Sequence, residues 1–256
     1  MHPILLNLGS IKIYSYGFLI AIGFIASLWL SSKNAEKFKI APQIISDVYF
    51  ISLLSGLIGG RLLYVLIYFK YYKNNLLEIF YIWTGGLVFF GGFIAALIAV
   101  IVYLKKRKQS FWKISDIVAP GIALGHAFGR LGCFFAGCCY GKECTLPFAV
   151  KFSNPDSLAP IGYLLHPTQI YSALSNFIIF FVLQWLLKNK KFDGMVFLSY
   201  VMIYSVTRFI IEFFRGDFRG DFYFEFISIS QGIGLIGFVV ALFFFIKLKK
   251  ESSGIN

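Results

Sequence analysis

Of the 256 residues, 58% are hydrophobic, 20% aromatic and only 14% charged. Soluble domains average about 25% charged residues, so a water-soluble core of this length is excluded and a lipid-embedded fold is indicated. The net charge of +12 does not mark a nucleic-acid binder, because most basic residues flank apolar runs on one side.

In chain order, the first fifteen residues carry no basic n-region and no small-residue cleavage site, so the first apolar run is expected to act as its own insertion signal. Seven runs are long and apolar enough to span a bilayer, at roughly 15–32, 44–68, 86–104, 114–136, 167–187, 194–214 and 228–247. They predict an all-α polytopic membrane protein of about seven transmembrane helices. With no internal repeat, low-complexity tract or long linker, residues 1–256 read as a single transmembrane domain.

Fourteen basic residues cluster after the first, third, fifth and seventh runs, against seven in the other loops. The richer side is expected to be cytoplasmic, with the N-terminus out and the C-terminus in. Asp47, Asp116 and Asp193 stand beside the starts of the second, fourth and sixth runs, where an acid is expected to cap its own helix and favour the macrodipole. Gly121, Gly125 and Gly129 are spaced to let a neighbouring helix approach closely.

Three of the 24 basic residues belong to neither set: Arg61, Arg130 and Arg208. At ~1.5 Å per residue they lie about 25, 24 and 21 Å along spans that run from inside to outside. Within a hydrocarbon core of ~30 Å, that is near the outer face. A charge inside a membrane is costly unless paired or solvated, and defaults to a functional role. Snorkelling or internal pairing is the bland alternative, and Glu212, flanked by Arg208 and Arg215, offers a partner. A guanidinium at this depth suits a phospholipid phosphate, bound through two parallel hydrogen bonds. A small-anion transporter is the rival reading.

Around Arg130 the sequence reads Gly129-Arg-Leu-Gly-Cys-Phe-Phe-Ala-Gly-Cys-Cys-Tyr-Gly141. Its four glycines suggest a tight backbone with N–H groups open to an anion. This stretch resembles the signature of the prolipoprotein diacylglyceryl transferase family, G-R-x-G-N-F-x-N-x-E-x-x-G. Other pieces match in order: Met1-His-Pro-Ile-Leu, Tyr14-Ser-Tyr-Gly17, Gly59-Gly-Arg-Leu-Leu-Tyr64, Gly85-Gly86 with Gly91-Gly92, His166-Pro-Thr-Gln-Ile-Tyr171 and Tyr204-x-x-x-Arg208-Phe-Ile-Ile-Glu212-Phe-Phe-Arg215. The resemblance covers residues 1 to about 235 of the numbered chain.

The resemblance implies transfer of the diacylglyceryl group of phosphatidylglycerol to the signal-peptide cysteine of a prolipoprotein, with release of glycerol phosphate. It places the protein in the bacterial inner membrane, with the active site toward the outer leaflet. The implied partners are phosphatidylglycerol, prolipoprotein signal peptides and the lipid bilayer, with no nucleic acid and no cofactor. By family match, Arg130 and Arg208 are the leading phosphate ligands, surrounded by Glu212, Arg215, Tyr16 and Tyr204. Arg61 is expected to bind substrate or to brace the other arginines, and Gly141 is expected to contribute to substrate binding.

The sequence departs from the family at three positions. Phe90 stands where members often carry histidine, a proposed base for the thiol, and phenylalanine accepts no proton. Cys133 replaces the signature Asn and Cys138 its Glu. His166 is the expected catalytic substitute, and His126, one turn before Arg130, is a second candidate whose bland reading is helix packing.

Cys133, Cys138, Cys139 and Cys144 are read first as structural thiols or a disulfide. The spacing C-x4-C-C-x4-C matches no standard zinc pattern, so no metal ligand set is assigned. Arg215-Gly-Asp-Phe-Arg-Gly-Asp221 reads as a solvated charged turn, the alternative being a segment that gathers anionic headgroups or admits the signal peptide. The competing functions are outer-face cysteine redox or metal chemistry, and non-catalytic lipid binding or transport.

Overall fold

The computed structural model describes residues 2–9, 12–73, 75–217 and 228–254; Arg219 and Asp221 of the charged turn lie outside these. Among the described residues seven helices are long and apolar enough to cross a membrane: α1 (Ser15–Lys37), α2 (Pro42–Ile67), α4 (Phe89–Lys106), α5 (Phe111–Ala136), α6 (Thr168–Lys188), α7 (Met195–Glu212) and α8 (Ile229–Ser253). A short helix, α3 (Phe69–Tyr72), follows α2. The protein is a multi-pass membrane protein of all-α class. Two compact units are present, Met1–Ser31 with Ser115–Asn256 and Ser32–Ile114.

In the unit Ser32–Ile114, α2 starts with Pro42 in its first turn, where a missing N–H costs nothing. Helices α2 and α4 meet through glycine backbones. A Cβ at Gly91 would lie 2.5 Å from the Gly59 carbonyl oxygen, and one at Gly92 2.7 Å from that of Gly56. Small residues are what permit such approach in lipid, where packing rather than hydrophobicity drives association. The third predicted span begins too early, because Gly85 and Gly86 hold φ of 86° and 76° and α4 starts only at Phe89.

Between these helices, Leu76–Phe80 and Ile82–Thr84 form 3-10 turns that Arg61 pins to α2. Its Nε donates to the Ile79 carbonyl at 2.8 Å and its Nη2 to that of Glu78 at 2.6 Å. Its Nη1 donates to Gly85 at 2.7 Å and Gly86 at 3.3 Å. Tyr64 and Tyr72 flank the guanidinium at 5.8 and 5.4 Å.

In the other unit, β1 (Ile4–Asn7) and β2 (Lys12–Tyr14) form an antiparallel hairpin leading into α1. Helix α1 packs on α5 at Gly23, where a Cβ would lie 2.8 Å from that of Phe128 and 3.1 Å from the Gly125 carbonyl oxygen. Gly125 thus serves the close approach its spacing predicts. Gly129 does not: a Cβ there would meet nothing within 4 Å, and Gly132 is the glycine packed on Tyr16.

The aspartates also depart from expectation, since none caps its own helix. Asp116, fully buried on α5, accepts from the N–H groups of Gly194 (2.8 Å), Val196 (2.9 Å) and Phe197 (2.9 Å) at the start of α7, with Lys190 at 3.3 Å. It therefore satisfies the free donors of a different helix. Asp47 bonds Gln43 and Tyr103, and Asp193 pairs with Lys190 at 2.7 Å. Helix α8 carries the true capping box, Ser228 with Gln231, and runs to Ser253, beyond its predicted end.

Candidate active site

The site forms in the unit Met1–Ser31 with Ser115–Asn256, where the C-terminal ends of α5 and α7 carry their arginines. Arg130 lies six residues before the end of α5 and Arg208 four before the end of α7. From the starts of these helices that is about 29 and 20 Å at ~1.5 Å per residue, a wider spread than the predicted spans give. Glu212, one turn past Arg208, forms an ion pair with it and lies 3.6 Å from the Nε of Arg215. Its other oxygen accepts from the Ser228 hydroxyl at 3.1 Å, which ties the start of α8 to α7. Arg215 is buried and donates three bonds of 2.6 to 2.9 Å to Asp217.

Arg130 differs. It lies within electrostatic reach of Tyr204 and Arg208, and no carboxylate pairs with it among the described residues. The three guanidiniums Arg130, Arg208 and Arg215 face two carboxylates, Glu212 and Asp217, so the described cluster keeps one positive charge. Beside Arg130, the open space at Gly129 leaves room that any side chain would reduce.

Tyrosines line the same region. The Tyr204 ring lies 5.0 Å from His126 and 5.8 Å from Tyr200, and the Tyr200 hydroxyl is 3.4 Å from His126 Nδ1. Tyr16, at the start of α1, couples electrostatically to Arg130 and to three cysteines. An apolar groove between α7 and α8, lined by Val206, Phe209, Ile210, Leu235 and Phe238, opens next to Arg208 in sequence.

Helix α5 stops where Gly137 takes φ 80°, the left-handed end that glycine permits. The chain then doubles back as Cys138 and Cys139. Cys139 itself holds φ 61°, a conformation costing an L residue about 1–2 kcal/mol. Buried Thr168 and Gln169 hold it there, donating to the carbonyls of Cys139 (2.7 Å) and Cys138 (2.8 Å). All four cysteines are thiols. Those of Cys133, Cys138 and Cys139 lie within 4.8 Å of one another. Cys144 is not part of that group. Hydrogen bonding with Cys133 and Cys139, then burial, pushes the Cys138 thiol well above its ordinary range.

Residues 3–247 match the sequence model of the prolipoprotein diacylglyceryl transferases. A Clostridium tetani protein named phosphatidylglycerol–prolipoprotein diacylglyceryl transferase is 40% identical over 245 residues, 96% of this chain and 97% of that protein. One of the same name from Clostridium botulinum strain Langeland is 37% identical over 253 residues, 98% of each. A Clostridium perfringens protein, named as transferase 2 of this kind, is 35% identical over 217 residues, 85% of this chain and 84% of that protein. The chain belongs to the prolipoprotein diacylglyceryl transferase family.

Within this diacylglyceryl transferase fold, the remaining predicted residues fall in different settings. Gly141 is a crossing point: its N–H donates to the His166 carbonyl at 3.0 Å, and Lys142 next to it donates to that of Phe214 at 2.9 Å. A Cβ at Gly141 would lie 2.5 Å from the His166 oxygen and 2.8 Å from that of Phe214. Its N–H is thus engaged by protein rather than open to an anion. His166 bonds Tyr171 through Nδ1 at 3.0 Å and packs edge-on against Phe214 at 5.3 Å. His126, by contrast, sits within the arginine–tyrosine cluster.

Arg61 and Phe90 belong to the unit Ser32–Ile114. Arg61 is enclosed by main-chain carbonyls as described, and Phe90, 48% exposed, packs edge-on against Phe89. Sequence reading missed Tyr200, Thr168 and Gln169 as parts of the site. Thr168 and Gln169 lie inside the matched His166–Tyr171 motif, which was the available signal; Tyr200, one turn before Tyr204, had only its helical spacing.

Proposed function

We propose that this protein transfers the diacylglyceryl group of phosphatidylglycerol to the signal-peptide cysteine of prolipoproteins, the first step of bacterial lipoprotein maturation. The carrying observation is Arg130, half-buried beside Tyr204 in a cluster with one uncompensated positive charge among the described residues. A phosphatidylglycerol headgroup carries one negative charge and fills that deficit.

In the reaction, the peptide thiolate attacks the glycerol carbon that bears the phosphate ester. A C–S bond forms, the C–O bond breaks, and glycerol phosphate leaves with the bonding electrons. Charge on the phosphate grows from one negative to two. Arg130 meets the first charge, and Arg208, held by Glu212 in the resting state, is positioned for the second. Donors already in place where charge develops stabilise a transition state without reorganisation. Glu212 stays compensated by Arg215 and Ser228 when Arg208 turns to the phosphate. The groove between α7 and α8 suits an acyl chain, being apolar along its length.

With no histidine at position 90, two imidazoles are available to take the thiol proton: His126 in the cluster and His166 at the Gly141 crossing. Replacing each by glutamine separates them, since only loss of the base lowers turnover while leaving lipid binding unchanged. Arg61 acts from a distance, by positioning the segment that it pins. The basic-residue imbalance supports an orientation with the N-terminus out and the C-terminus in, which puts the arginine ends of α5 and α7 at the outer leaflet of the bacterial cytoplasmic membrane.

The test is direct: purified protein is incubated with phosphatidylglycerol and a synthetic prolipoprotein peptide, and the product is weighed by mass spectrometry. Peptide heavier by one diacylglyceryl group is expected, with glycerol phosphate released in equal amount. Absence of product beside an active family member overturns the reading.

A further inference from the structure

We propose that Cys133, Cys138 and Cys139 form a binding site for a thiophilic d10 cation of the zinc class. Their three sulfurs lie within 4.8 Å of one another. Zinc–sulfur bonds of about 2.3 Å put the sulfurs of a tetrahedral site roughly 3.8 Å apart, so small side-chain adjustments close the triad around an ion. Nothing in the transfer reaction uses these thiols.

The backbone supports the site independently of the sulfur distances. Cys133 comes from the last turn of α5, and Gly137 then reverses the chain to bring Cys138 and Cys139 back toward it. The left-handed backbone at Cys139 is held by Thr168 and the Cys138 carbonyl by Gln169, both side chains buried. The pair is therefore fixed in place before any ion arrives. Supporting bonds of this kind, from outside the ligand set, are what orient metal ligands.

Charge completes the argument. On binding a divalent cation each thiol releases its proton, giving three thiolates, one cation and a net charge of minus one. Arg130 lies within electrostatic reach of Cys133 and Cys139, and Arg215 of Cys139, so two guanidiniums stand beside that negative charge. With three protein ligands, a fourth position stays open to water or another donor. The linear spacing conceals the site, because the i, i+5, i+6 arrangement converges only through a helix end followed by a left-handed residue.

The experiment uses the full chain in detergent, reduced and then freed of reductant under nitrogen. Cadmium titration is expected to give one ion per chain, with the ultraviolet charge-transfer absorption of cadmium thiolate. Cys133→Ser, Cys138→Ser and Cys139→Ser should each remove most of that absorption, and Cys144→Ser should leave it intact. Absorption missing from the unaltered protein, or surviving in the triple serine variant, overturns the proposal. Because a serine variant can fail to fold, zinc X-ray absorption on the unaltered protein gives a second reading. Three sulfurs at about 2.3 Å are expected, and two or fewer overturn it. Neither measurement depends on lipid transfer.

Discussion

Arg61 and Arg130 are both arginines within membrane-spanning helices, each six residues before its helix ends, and they have opposite settings. Arg61 gives its donors to four main-chain carbonyls and its faces to two tyrosines. Arg130 has Tyr204 and neighbouring thiols, and no carboxylate among the described residues. A buried charge in a membrane has two ways to exist: it is compensated by the fold, or it is kept ready for a ligand. The first kind fixes structure and the second carries chemistry.

The comparison breaks most sharply at Arg130. Arg130→Ala is expected to lower turnover by about 10²–10³-fold, the range for removing one charge-stabilising donor from a transition state. Thermal unfolding in detergent should barely move, since no carboxylate among the described residues is orphaned. Arg130→Lys restores charge without the planar pair of donors and is expected to recover only part of the activity. A large drop in melting temperature for Arg130→Ala would put Arg130 with Arg61.

Arg61→Ala should behave in the converse way. It strips the carbonyls of Glu78, Ile79, Gly85 and Gly86 of a charged donor, and each buried acceptor left unsatisfied costs about 1–3 kcal/mol. A stability loss of roughly 3 kcal/mol or more is expected, read as a lower unfolding midpoint. Activity per folded molecule should fall less than for Arg130→Ala. If turnover vanishes while the midpoint holds, Arg61 touches substrate and the contrast collapses.

The sequence could not separate these two arginines, because what distinguishes them lies elsewhere in the chain. The carbonyls around Arg61 come from residues 17 to 25 positions away, in 3-10 turns without a strong pattern. Apolar runs did locate the seven spans found among the described residues, since bilayer thickness imposes length and composition on each helix alone. Their ends were less legible: Gly85 and Gly86 delay α4, and the basic tail Lys247–Lys250 continues α8 where charge suggested a loop. For the candidate site, the ordered motifs pointed to Arg130, Arg208, Glu212 and Tyr204 through family pattern, and the structure places all four on α5 and α7. The meeting of three thiols was invisible because it depends on left-handed backbone at Gly137 and Cys139.

The smallest effect sharpens the comparison from the acidic side. Asp116 sits on the same helix as Arg130, is fully buried, and has its charge taken up by three N–H groups and Lys190. It is to carboxylates what Arg61 is to arginines. Asp116→Asn keeps one acceptor oxygen but loses the charge, the second oxygen and the partner of Lys190. A capping and dipole loss of about 1–2 kcal/mol is expected, seen as a modest fall in the unfolding midpoint. Turnover should stay within about twofold, because only the amino-terminal turn of α7 loosens and Arg208 stands three turns further along. A larger loss of activity would mean that the start of α7 sets the position of Arg208, and that compensated charges in this protein also steer the uncompensated one.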